Sequence, residues 1–290
     1  MVLESLTSPK RAESKPWDLF FIGAMYAIIA VFLSLWVFRE QASIVMVLLT
    51  VMACVPLMYN TLRREESKTL QFDEEKTLLK EHGKTLMFLM FLFLGFVAAF
   101  SMAYIFLPAD TVDGLFSAQT NTINEINSRV VDGEAVTGDA YNEGLFLKIF
   151  GNNLKVLLFS IFFAFFYGAG AIFILTWNAT VISAAIGNFF RTNISVYASQ
   201  AGLLGVGGYF HTYALSLLRY FVHGIPEISA YFIGGLAGGI IGVAVIRHDF
   251  GTKSFSKILK DSVDLILLAV IILFIAGFLE VYVTPAIAGI

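Results

Sequence analysis

The residues of this chain best placed to do chemistry are His223 and Glu227, in the run His223-Gly224-Ile225-Pro226-Glu227. On an unbroken helix they are i,i+4 neighbours on one face. An imidazole and a carboxylate at that spacing offer two ligands to a divalent ion, or the two ends of a proton relay. The same residues also have a structural reading. Gly224 permits a turn, Pro226 suits the first helical position, and Glu227 complements a helix N-terminus. A zinc site needs a third ligand, and the sequence holds no His-Glu-x-x-His pair. The expectation is no metal, no cofactor and no catalytic residue.

A second polar set comprises Asn152 and Asn153, then Asn178, Arg191 and Arg219. Asn152 reads as a helix N-cap and Asn178 as the left-handed residue after a helix. Alternatively, Asn178 and Arg191 line an irregular segment, because non-helical backbone at membrane depth survives only inside protein or beside water. Arg219 either snorkels to the interface or pairs with Glu227. Gly234, Gly238 and Gly242 form a stripe that lets another helix approach closely, inside the bundle or at a dimer seam. His211 and Glu280 stand alone. The first reads as a bonded interior histidine, the second as an interface residue near the outer surface. Phosphate loops, dinucleotide fingerprints, nucleophile elbows and Cys/His clusters are absent from the sequence.

The elements that must position these residues follow from composition. Of 290 residues, 58% are hydrophobic and only 14% charged, with 29 Phe and a net charge of −3. A soluble domain is nearer half apolar and a quarter charged. These values exclude a disordered chain, a nucleic-acid binder with a basic footprint and a disulfide-stapled module, since Cys54 is the lone cysteine. About 20 apolar residues in a helix cross a bilayer. Such runs lie at 18–38, 43–59, 85–107, 154–177, 230–246 and 263–282. The apolar but broken stretch between them is read as one further crossing at 201–220, preceded by a short re-entrant or interfacial helix. The first run is too long for the core of a signal peptide and reads as a retained span. Trp17, Trp36 and Trp177 fall at expected span ends.

Lys and Arg concentrate in the tail (Lys10, Arg11, Lys15), in 61–84 and in 247–260, whereas residues 108–144 carry mainly Asp and Glu. By the positive-inside rule the tail and both basic loops are cytoplasmic, the acidic loop is extracellular, and an odd number of spans puts the C-terminus outside. The mixed charges of 61–84 predict a solvated helix laced by i,i+4 pairs, with a partner surface as the alternative. The outer loop predicts a modest cap.

Taken together, Asn152-Asn153 before a Gly-containing span, Asn178 after it, the broken apolar region, and His223-Gly224-x-x-Glu227 leading into a Gly-rich span resemble the stage II sporulation protein M family. The resemblance runs from about Thr85 to the C-terminus and places Asn152, Asn178, His223, Gly224 and Glu227 at motif positions. It implies an integral membrane protein without established enzymatic activity. Bacterial members of that family serve as membrane scaffolds for peptidoglycan-remodelling partners.

The sequence therefore predicts an all-α polytopic transmembrane helical bundle of about seven spans. Residues 1–84 form a two-span extension, and 85–290 a five-span core with the acidic loop 108–144. The function expected is a non-enzymatic scaffold or assembly factor in the cell membrane, with the bilayer, protein partners or further copies of itself as associates and no nucleic acid. The alternative is a transporter or lipid-handling channel whose polar cavity is lined by the 178–227 region.

Overall fold

The computed structural model describes the backbone at residues 7–131, 139–165, 169–201, 206–247 and 250–284, and side chains at 7–125, 143–165, 170–192, 221–247 and 250–284. The described residues are helical almost throughout, with no strand among them. In order they are α1 (Pro9–Ser14), α2 (Asp18–Val37), α3 (Ala42–Gln71), α4 (Glu75–Phe106), α5 (Ala109–Leu115), α6 (Ser117–Val131), α7 (Asp139–Ala164), α8 (Ala169–Ala201), α9 (Val206–Ile246) and α10 (Lys253–Phe278). Among the described residues seven helices are long and apolar enough to cross a membrane. The chain is thus an all-α polytopic bundle. Outer helices turn large apolar side chains outward, as Phe21, Ile28 and Phe32 do on α2 and Leu267 and Ile271 on α10. In hydrocarbon that exposure needs no cover.

Two of the crossings differ from their sequence assignment. The run 154–177 is not one span, because the chain breaks between Ala164 and Ala169 and forms a hairpin of α7 and α8. The apolar parts run over Glu143–Ala164 and Gly170–Thr192. Residues 165–168 are Phe, Phe, Tyr and Gly, so no fall in hydropathy separates the two helices. Trp177 and Asn178 consequently lie inside α8 rather than at its end, and Asn152 and Asn153 inside α7 rather than before it. A span over Gly170–Thr192 was not expected, the crossing expected at 201–220 falls outside the described side chains, and α9 continues through Pro226 into the span Phe221–Ile246. A proline removes one backbone hydrogen bond, but membrane helices tolerate that loss when packed against neighbours.

Close helix approach organises the centre. At α9, 83% of the most apolar window is buried. A Cβ on Gly238 or Gly242 would collide with the backbone carbonyl of Ile161 or Phe165, and one on Gly234 with the Leu157 side chain. The glycine stripe is therefore filled by α7 of the same chain. Gly23 and Gly95 make the same kind of crossing between α2 and α4, where each would strike the other helix's backbone. The charged or polar loop after α4 begins with α5 and α6, docked by Ser43 donating to Gln119 at 2.8 Å and Gln119 donating to Thr180 at 3.2 Å.

The 61–84 segment departs most from expectation. It is the end of α3 and the start of α4, exposed at Asp73, Glu74, Glu75, Lys76 and Lys80 but buried on its inner face. Glu65, Glu66, Thr69, His82 and Thr85 are fully buried and Lys68 nearly so. Glu65 accepts from Thr85 Oγ1 at 2.7 Å and lies 2.7 Å from both Lys68 Nζ and His82 Nδ1. The other ring nitrogen of His82 faces Asp261 on α10 at 3.2 Å, and Thr69 donates to the same carboxylate at 2.9 Å. A ring with carboxylates at both nitrogens donates to both only as imidazolium. Arg247 grips both oxygens of Glu66 at 2.7 and 2.9 Å, and Arg64 grips Glu13 of α1 at 2.9 and 3.2 Å. Burial raises the Glu13 carboxyl, but hydrogen bonds from Arg64 and Lys68 outweigh it and hold the group below the usual glutamate range. Lys257 likewise holds the exposed Asp73 carboxyl down through a 2.6 Å hydrogen bond. The pairs tie α1, α3, α4, α9 and α10 together, at separations of up to 192 residues that no helical periodicity encodes.

Candidate functional site

At the opposite end of the bundle, α7 presents an unusual stripe. Lys148, Asn152, Val156, Phe159 and Phe163 recur at i, i+4, i+8, i+11 and i+15, so they share one face. Along the axis that face changes from charged and amide to aromatic. Phe159 and Phe163 stack at 6.0 Å. Two adjoining cavities follow the change. The polar one, of about 540 Å³, is lined by Lys148, Asn152, Asn153, Lys155 and Val156 of α7, Asn178 of α8, Glu227 and Tyr231 of α9, and Glu280 beyond α10. The apolar one, of about 570 Å³, is lined by Phe159, Phe163, Phe173, Ile174, Trp177 and Val181, and shares Asn152, Val156 and Asn178 with the first. Both volumes lie within the range of small-molecule sites.

Local chemistry fixes the lining. Asn178 donates to the Ile174 carbonyl one turn earlier at 2.8 Å, which holds its amide against the helix where it lines both cavities. Tyr231 donates to Glu227 at 2.7 Å, also across one turn. Glu280 sits in a π-helical turn, Leu279–Val283, that ends α10. Such turns widen the helix and re-aim side chains. The Thr284 hydroxyl donates to the Leu279 carbonyl across it at 3.1 Å and lies 3.1 Å from His223 Nδ1.

Three of the residues singled out by sequence, Asn152, Asn178 and Glu227, thus meet at one cavity. His223 and Glu227 do not converge, since the first faces Thr284 and the second Tyr231. Among the described residues no group of three or more His, Cys, Asp or Glu is placed to hold a metal ion. Arg191 lies elsewhere: its guanidinium donates to the Ile105 carbonyl at 3.3 Å and to the Leu107 carbonyl, and stands 5.6 Å from the Tyr104 ring centre. A cation there satisfies the C-terminus of α4. Gly224 has nothing within 4 Å of where a Cβ would stand. Arg219 and His211 lie outside the described side chains. Sequence reasoning named Asn153 beside Asn152, missed Lys148, Lys155 and Tyr231, and treated Glu280 as isolated. The signal for α7 was the periodic stripe itself, hidden because its polar half looks like loop.

No solved structure matches the chain. A relative in Methanocaldococcus jannaschii, an uncharacterized protein, is 30% identical over 146 residues, which is 49% of this chain and 72% of that protein. Residues 84–285 match the family described as stage II sporulation protein M, a stretch that contains α7 to α10 and every residue of the polar cavity. Over that length the chain belongs to the stage II sporulation protein M family.

Proposed function

We propose that this integral membrane protein binds and handles an amphipathic, lipid-type molecule, without covalent catalysis, in the paired cavities beside α7. The observation that carries this reading is the graded stripe on α7. From Lys148 to Phe163 it extends about 22 Å at 1.5 Å per residue, against roughly 15 Å for half a bilayer's hydrocarbon core. A molecule with a polar head and an apolar chain matches that gradient along its whole length. Lys155 supports the same reading. It lies exposed near the middle of the Glu143–Ala164 span, where a lysine is costly unless it faces a watered or occupied cavity.

The direct test is native mass spectrometry of the intact protein extracted from its membrane in mild detergent. Near-stoichiometric lipid should remain bound, and Phe163→Asp, which places a charge in the aromatic half, should release it. A lipid-free protein, or retention that ignores the substitution, overturns the reading.

A scaffold for protein partners is the second reading, supported by family membership and by the exposed row Leu158, Phe159 and Phe162 on α7. Within 61–84 its surface is confined to exposed residues such as Asp73, Glu74, Glu75, Lys76 and Lys80, because Glu65, Glu66, Lys68 and His82 are engaged inside the bundle. Stable associates in co-purification would favour it. For orientation we propose that the tail and the buried ionic end face the cytoplasm, and that α5, α6 and the polar cavity face outward, from the Lys and Arg distribution.

A further inference from the structure

We infer that the amphiphile has a zwitterionic headgroup, with an anionic phosphate beside α7 and a primary ammonium against α9 and α10. This rests on the lipid-handling reading above. The charged lining of the polar cavity is segregated by helix: Lys148 and Lys155 come from α7, whereas Glu227 and Glu280 come from α9 and the turn after α10. In the described lining the basic and acidic side chains are kept to separate helices rather than mixed. A purely anionic headgroup matches the lysine side, Lys155 above all, but sets itself against Glu227 and Glu280, while a neutral sugar matches neither side. A phosphate and an ammonium a few bonds apart complement both. Lysine is an effective point-charge partner for phosphate, and Asn152 stands between the two lysines on the same face to add an amide donor. Carboxylates favour an ammonium that can donate hydrogen bonds. A quaternary ammonium cannot donate, and it is recognised by aromatic cages instead.

The test uses the full-length protein in detergent with three synthetic lipids of identical acyl chains, bearing phosphoethanolamine, phosphocholine or phosphoglycerol heads, in equimolar competition read by native mass spectrometry. The phosphoethanolamine lipid should be retained about tenfold over the phosphoglycerol lipid, the value of one charge-assisted hydrogen bond. Glu280→Gln should erase that preference without reducing phosphoglycerol retention, and Lys155→Gln should weaken both. Equal retention of the phosphoglycerol and phosphoethanolamine lipids by the wild type overturns the zwitterionic assignment and leaves the lipid reading standing. Retention of none of the three overturns both. Cross-linking that places Lys155 in a contact between two copies of the chain also overturns the inference. The wild-type competition needs no substitution, so a variant that fails to fold does not obscure the result.

Discussion

The two ends of the bundle both carry charge at membrane-spanning helices, and they use it in opposite ways. At the ionic end Glu13, Glu65, Glu66 and Asp261 each meet one or more donors at 2.7–3.2 Å from a different helix. At the cavity end Glu227 and Glu280 line the same cavity as two lysines and three asparagines. The first arrangement joins helix to helix through protein partners. The second is open and graded. A buried charge network whose partners are all protein holds helices in register, whereas charges aimed into a cavity recognise something else.

The sharpest way to break this contrast is to remove one carboxylate from each end. Glu65→Ala strips Thr85, His82 and Lys68 of a shared partner, and should cost about 3–5 kcal/mol, as a broken buried pair does. Thermal unfolding of the detergent-solubilised protein measures it. Glu227→Gln keeps an acceptor for Tyr231 and should move stability by less than about 1 kcal/mol, while lipid retention falls. Equal losses of stability at the two sites would erase the distinction between clamp and site.

Next in size, Gly238→Leu drives a side chain into the Ile161 carbonyl of α7. The wall that carries the cavity must then move away from α9, at a cost of about 1–3 kcal/mol for overpacking. Lipid retention should fall with stability, because the cavity is built on that crossing. A variant that unfolds earlier but keeps its lipid would show that the α7–α9 seam does not shape the site.

Acid should weaken the ionic end first. The folded Glu13 carboxyl titrates below its ordinary value of about 4.5, so the stabilisation it contributes is complete above that value. It fades as the pH falls through the lower folded value. Unfolding followed from pH 6 to pH 3 should therefore steepen below about pH 4.5, and Glu13→Gln should flatten that fall. An unchanged acid profile in the variant would remove Glu13 from the clamp.

The smallest effect is expected at Gly224. No atom lies within 4 Å of its virtual Cβ, and alanine is the better helix former by about 1 kcal/mol. Gly224→Ala should leave stability unchanged or slightly raised. If lipid retention then falls, the motif glycine serves the cavity end through backbone mobility beside Pro226 and not through packing.

Much of the architecture was readable from residue types. Apolar run lengths anticipated seven crossings, and the placement of Lys and Arg separated two ends that the fold also separates. The errors have a common cause. A helix that lines a polar cavity, such as α7, loses the hydropathy that identifies spans, so the reading slid one helix onward and fused α7 with α8. The charged 61–84 segment misled in the converse way. Mixed charges at helical spacing look solvated, and the carboxylate on α10 that buries His82 is 179 residues away. Glu280 seemed isolated because its companions Glu227 and Asn152 reach it only through packing.

Solvent preference is a sum over side chains, so composition was enough to point to an all-α integral membrane protein of about seven spans. Recognition is a property of relative position. Whether Asn178 is a cap or a cavity wall, whether Glu65 is wet or clamped, and which carboxylates oppose which lysines depended on helices meeting across the bundle, where distances of a few ångströms join residues far apart in the chain.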